Sequence, residues 1–392
     1  MIDFELTNGD KEVVSLARRQ AVGYQKRAKS IDRTMEFDRP DFAAQFAFEG
    51  EDDIVHVRDF AQARADDLSS LTLIEPLIYL EESYGFKPLY WQGQNADAMN
   101  VSLSGKLIEK VGTPEQVAAF SDLYLAWGMS EPNGGSDPKS LRTVAQYDAA
   151  TDEWVINGEK IFSSNATHAD GILVMCRAIG PKGDEGISLF VVTKDMPGYG
   201  VGPQMDKLGL RNWDTVATFF MDVRVPALNR LEGNLKDALS IFNGTRALIA
   251  GQALGYARVA LDLVRERFAE GGRTLNYAGS LSTRSALEDR ILRMEALWDA
   301  TYLTMLHAKW HEQAHGADKF YPSLAKCKAG LMVRKLVNEC MEILGPGSTS
   351  ESLPVEQALR DARILDIYEG PNETQRLLMA RTLLNYSAKD LN

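Results

Sequence analysis

The chain has 392 residues, of which 45% are hydrophobic and 25% charged, with a formal net charge of −12. This is the composition of a globular protein long enough for two or three domains and a large core. The acidity excludes a nucleic-acid-binding surface, which needs basic patches, and the few basic clusters are interleaved with acids.

The first block, from about Asp10 to Leu123, reads as helix. Lys11 to Lys29 is rich in Ala, Arg, Val and Gln, and Asp53 to Ala65 and Ser70 to Tyr84 place apolar residues three and four apart. Thr113-Pro114-Glu115 predicts a helix start, with a capping hydroxyl followed by proline. The second block, from about Tyr124 to Glu232, is β-rich. Val155 to Phe162 predicts a hairpin turning at Asn157-Gly158, and Gly171 to Arg177, Ile187 to Thr193 and Val216 to Val223 read as strands. From about Leu235 the chain returns to helix over Ala238 to Ala269, Arg284 to His315, Leu324 to Leu344 and Val355 to Ile367. A last helix starts near Asn372, and Gly345-Pro346-Gly347 breaks the chain between two of these helices.

The order helix, β, helix excludes a simple strand–helix alternation, and with it a nucleotide-binding parallel sheet. Cys176, Cys327 and Cys340 are odd in number and without metal spacing, which fits a reducing cytoplasm better than a disulfide framework or a zinc site. Asp3, Glu5 and Asp10 make the N-terminus unlike a signal peptide, and no uncharged apolar run predicts a membrane span.

Three stretches carry chemistry. Leu125-Ala126-Trp127-Gly128-Met129-Ser130-Glu131-Pro132-Asn133-Gly134-Gly135-Ser136-Asp137 joins the first block to the second. Its glycines permit close backbone approach, and Ser130 and Ser136 offer hydroxyls that could grip a planar polar ring. On composition alone the plain interdomain turn is the favoured reading. Asn157 to Asn165 ends in Ser163-Ser164-Asn165, a possible polar lining. Ala362 to Arg376 holds Glu369 between two helices, where it could face a cleft, although a lone glutamate there is more often solvated near a helix N-terminus.

Taken together, these stretches resemble the acyl-CoA dehydrogenase family, from about Val111 to Leu384. The Trp127–Ser136 loop is similar to the family's Glu-Pro-x-x-Gly-Ser-Asp loop, and Trp154 to Asn165 to its aromatic-hydroxyl strand, with Phe162 where tryptophan is usual. Leu208 to Thr215 with Asp222 to Pro226 resembles the end-of-barrel signature, Arg246 the arginine of the first long C-terminal helix, and Ile367-Tyr368-Glu369-Gly370 the segment of the catalytic base.

The resemblance implies an α+β fold with an N-terminal helical domain (1–123), a central β-barrel domain (124–234) and a C-terminal four-helix bundle (235–392) enclosing FAD. It implies FAD-dependent α,β-dehydrogenation of an acyl-CoA or carrier-bound acyl thioester, with Glu369 as base and Arg246 orienting it. Some members carry the base just before that arginine; here that position is Thr245, which cannot serve. The implied cofactor contacts are Trp127, Met129, Ser130, Gly135, Ser136, Phe162 and Ser164 on the ring side. Implied substrate contacts are Ser136, Thr245, Arg246, Tyr368 and Gly370. An electron-transferring flavoprotein is the implied electron acceptor, and a homodimer or homotetramer the implied assembly.

On the diphosphate side the chain departs from the family. The usual Arg-x-x-Phe-Gly is missing, with Arg273 as substitute, while Glu342, Pro371 and Glu373 replace glutamine, threonine and glutamine. The N-terminal block also lacks Pro-x-x-Gly-Gly-x-Gly. Three readings stay open: an altered FAD mode, a partner subunit that supplies the missing donors in a hetero-oligomer, or an unusual thioester. A non-catalytic acyl-binding subunit and an enoyl-thioester reductase are the alternatives to a dehydrogenase.

Overall fold

A computed structural model describes residues 6–35, 71–86 and 102–386. The predicted helix over Asp53 to Ala65 and the proposed pocket-lining stretch Leu89 to Met99 lie outside them. Among the described residues the chain forms two compact units: one of residues 6–35, 71–86, 208–212 and 243–386, the other of 102–207 and 213–242.

The second unit opens with helices α3 (Leu103–Val111) and α4 (Pro114–Phe120). The predicted start of α4 is present: the Thr113 hydroxyl accepts from the Gln116 amide and the Gln116 side chain caps back. Eight strands follow: β1 (Leu125–Gly128), β2 (Val144–Asp148), β3 (Glu153–Ser164), β4 (Gly171–Gly180), β5 (Gly183–Thr193), β6 (Tyr199–Val201), β7 (Thr215–Pro226) and β8 (Arg230–Asn234). They pair in the order β6-β7-β3-β2-β4-β5-β8, and β1 also lies parallel to β4. Among the described residues the pairing path runs from β6 to β8, with β1 added along β4, and forms the central sheet of the expected fold.

Both faces of β4 and β5 are buried, which explains their unbroken apolar runs. Ile172, Val174, Cys176, Phe190 and Val192 join Trp154, Ile156 and Phe220 in one core. Leu173, Met175, Leu189 and Val191 face the other way, toward Leu107, Ile108 and Leu231. The predicted hairpin at Asn157-Gly158 is absent. β3 continues through it as one strand, with a register shift between Ile156 and Gly158 against β7. Gly158 has φ +143°, and a Cβ there would lie 2.7 Å from the Thr143 hydroxyl. Asn157 donates to the Asp222 carboxylate (2.9 Å) and accepts from the Asp222 amide (2.9 Å), so the pair that signals a turn serves a bulge instead.

The first unit holds α1 (Asn8–Thr34), α2 (Leu71–Tyr84), most of α5 (Leu235–Glu270), α6 (Ala286–His315), α7 (Phe320–Leu344), α8 (Pro354–Ala362) and α9 (Asn372–Leu384). The predicted stretch to Ile367 ends as α-helix at Ala362 and tightens into a 3-10 turn over Arg363–Asp366. Gly251 and Gly255 let α5 touch α2: a Cβ at either would lie 2.3 Å from the carbonyl oxygen of Pro76 or Leu80. α5 is long and apolar enough to cross a membrane by length and composition, but it is interrupted by charges and its apolar stretch is largely buried, as in a core helix. Leu208–Asn212 packs in this unit, where the Leu210 amide donates to Asp361 (2.6 Å) and the Asn212 side chain to the Phe86 carbonyl (2.6 Å).

Candidate functional site

The candidate residues form two clusters, one in each unit. In the β unit, β1 delivers Trp127 and then Met129-Ser130-Glu131. The Ile161 amide donates to the Ser130 carbonyl (2.9 Å), which sets this loop beside the end of β3. Glu131 is buried and holds the loop, accepting from the amides of Arg142 (2.7 Å) and Thr143 (3.0 Å), the Thr143 hydroxyl (2.7 Å) and the Lys160 ammonium (2.7 Å). Burial would push the Glu131 carboxyl up, but Lys160 and these donors outweigh it and hold it below the usual carboxylate range. The fully buried Lys160 also donates to the Met129 carbonyl (3.3 Å).

Past Lys160 the strand shifts register, and Phe162 stands at φ +64° with 63% of its surface exposed. An exposed aromatic in left-handed backbone is costly on both counts. Ser163 is buried with its hydroxyl unpartnered among the described residues, and Ser164 is half-buried. Trp127 packs edge-on against Phe242 (5.5 Å), with its buried indole N–H making no hydrogen bond among the described residues. Gly135 fits against the Ser130 hydroxyl, 2.9 Å from where a Cβ would stand, and Ser136 is exposed.

In the helical unit, Glu369 and Gly370 are both left-handed (φ +53° and +90°) between the 3-10 turn and α9. The Glu369 carboxylate accepts from the Thr245 hydroxyl on α5 (2.8 Å). Arg246 is buried beside them, donating to Asn243 (2.9 Å) and to Ser323 of α7 (3.4 Å). Burial lowers the Arg246 pKa from its ordinary value, and the charge of Glu369 works against that shift. The Tyr368 hydroxyl donates to the Gln252 side chain of α5. Thr245, Arg246, Tyr368, Glu369 and Gly370 thus come together.

The diphosphate-side candidates lie on the surface of this unit. Arg273 is exposed past the end of α5, with its guanidinium 5.9 Å from the Phe268 ring. Glu342 pairs with Arg290 (2.9 Å) in solvent, Pro371 precedes α9, and Glu373 is exposed in its first turn.

Sequence reasoning assigned no role to Glu131, Lys160, Gln252, Lys326 or Gln375. Lys326 and Gln375 are fully buried and converge on the Glu369-Gly370 turn. Only Lys160 had a legible signal, since it takes an inward place in an alternating strand.

The sequence models of the acyl-CoA dehydrogenase middle and C-terminal domains match residues 126–223 and 235–384. The short-chain-specific acyl-CoA dehydrogenase of Megasphaera elsdenii is 34% identical over 72% of this chain and 76% of its own. Acryloyl-CoA reductase (NADH) of Anaerotignum propionicum is 29% identical over 98% and 96%. The solved structure of butyryl-CoA dehydrogenase from Megasphaera elsdenii superposes with a TM-score of 0.79 at 26% identity, covering 98% of this chain and 100% of that one. The chain belongs to the acyl-CoA dehydrogenase family. It is therefore an oxidoreductase of the CH–CH group of acyl-CoA and uses FAD.

Proposed function

We propose that the protein removes two hydrogens from an acyl-CoA or carrier-bound acyl thioester to give the 2-enoyl thioester, with Glu369 as the α-proton base. The observation that carries this is the hydrogen bond from Thr245 to Glu369 (2.8 Å). Of the two positions where the family keeps its base, one here is a hydroxyl that donates to the acid at the other.

The chain's own residues account for the proton. Glu369 takes it from the α-carbon. Buried Arg246 supplies positive charge beside the developing enolate. The Glu369 amide binds the thioester oxygen, and Tyr368 and Gly370 flank the reacting carbons. Ser136 contacts the pantetheine arm.

The β unit fits the cofactor's ring by its donor set. Ser130, Ser164 and the unpartnered indole N–H of Trp127 are the polar groups, and exposed Phe162 is the aromatic wall. Met129 and Gly135 bring backbone close. FAD, when bound, supplies the acceptor for the β-hydride. On the diphosphate side Arg273 is the available cation, while Glu342 and Glu373 need donors facing them, such as the adenine amine, beside Pro371. An electron-transferring flavoprotein serves as acceptor, in the cytoplasm, and a homodimer or homotetramer is the working assembly.

A reductase uses the same base in reverse, and the 29% identity to a protein named acryloyl-CoA reductase favours keeping that reading. The experiment is mass analysis of products from a panel of acyl-CoAs incubated with protein and an artificial electron acceptor. A product two hydrogens lighter is expected for at least one member. No such product from any saturated thioester, with enoyl thioesters reduced by a dithionite-reduced sample, assigns the reductase instead.

A further inference from the structure

Lys326 is an expensive residue where it stands. It lies fully buried on α7, between buried Ala325 and Cys327. Its ammonium donates to the Gly370 carbonyl (2.7 Å) and more weakly to the Asn372 side chain (3.4 Å). Burial pushes its pKa down to about 8, against the charges of Glu369 and Asp366. Methionine would fill the same volume without that cost.

The turn it meets is itself strained. Two successive residues, Glu369 and Gly370, are left-handed, and the first carries a side chain. From the other side, fully buried Gln375 of α9 donates to the carbonyls of Glu369 (3.2 Å) and Gly370 (3.0 Å). A Cβ on Gly370 would lie 2.3 Å from that same amide nitrogen. Side chains from two helices therefore hold both carbonyls of the turn that carries the proposed base.

We infer that Lys326, together with Gln375, is a positioning residue: it fixes the left-handed Glu369-Gly370 turn and so the direction in which the Glu369 carboxylate meets the substrate. This rests on the reading of Glu369 as the base. Lys326 holds the Gly370 carbonyl and the Asn372 side chain, so its loss lets the turn relax without removing any group that binds the thioester.

The test compares wild type, Lys326→Met and Glu369→Gln as flavin-loaded full-length proteins, by steady-state kinetics and by amide hydrogen exchange. For Lys326→Met, kcat is expected to fall by about 10²-fold, the loss that an ångström-scale misplacement produces. KM should stay within about threefold, and exchange should rise in residues 364–376 alone. Wild-type kcat, wild-type exchange in that segment, or a rise spread through α7 and α9 would each overturn the inference. If Lys326→Met does not fold, Gln375→Leu carries the same expectation and the same contrary results. Glu369→Gln separates the two readings. If it turns over like wild type, Glu369 is not the base, while the exchange arm still reports whether Lys326 holds the turn.

Discussion

Thr245 and Glu369 lie 124 positions apart in the chain, yet one donates its hydroxyl proton to the other. A hydrogen bond to a charged group contributes about 1.5–3 kcal/mol. If it holds the carboxylate in its reactive direction, Thr245→Val should lower kcat by about tenfold or more while the protein folds and binds flavin normally. Stopped-flow reduction by an acyl-CoA measures this, and an unchanged rate would mean that the hydroxyl is incidental. The junction that carries Glu369 was legible because Tyr-Glu-Gly-Pro breaks one helix and opens another, whereas its reading as base came from the family resemblance alone. Lys326 was not legible: a lysine in a helix reads as solvated, and only its neighbours in space make it a buried donor.

At the scale of elements, β3 shows where local signals fail. Asn-Gly is the strongest hairpin dipeptide, but here the partner strand β7 supplies Asp222, itself at φ +51°, and the pair is used up in a bulge. Long-range pairing overrides the local preference. The same strand carries Lys160 to Glu131, a buried ion pair that fixes the proposed flavin loop. Glu131→Ala should destabilise the protein by about 3–5 kcal/mol, since it leaves a buried ammonium without its partner. Glu131→Leu with Lys160→Met should be markedly milder. Denaturant unfolding of the three proteins decides this, and equal losses for single and double variants would show the loop's amide bonds, not the charge pair, to matter. The start of α4 was legible because Thr113 marks it, whereas the helix expected to Ile367 ends at Ala362, where no local signal stops it.

For the whole molecule, Asp361 ties Leu208–Asn212 into the helical unit, accepting from Leu210 (2.6 Å) and Gln357 (3.4 Å). Burial pushes its pKa up to about 7, against the Leu210 amide. The sign follows from proton uptake. The unfolded chain releases this proton in the ordinary carboxylate range and the folded chain near 7, so stability falls as pH rises between those values and is level above. Asp361→Asn should therefore gain stability relative to wild type as pH is raised through that window. Thermal melts of both proteins across it check the slope, and parallel curves would contradict it. No pattern in the sequence marked Asp361, because burial is a property of the assembled unit.

The family fixes the chemistry as oxidoreduction at the CH–CH bond of an acyl-CoA, and the proposal assigns the proton to Glu369. Anaerobic mixing of wild type and Glu369→Gln with a thioester that the wild type oxidises, followed by flavin absorbance, tests this most directly. Rapid bleaching is predicted for wild type, and bleaching slower by about 10²–10⁴-fold for the variant. A Glu369→Gln protein that holds its flavin and bleaches at the wild-type rate would contradict the account.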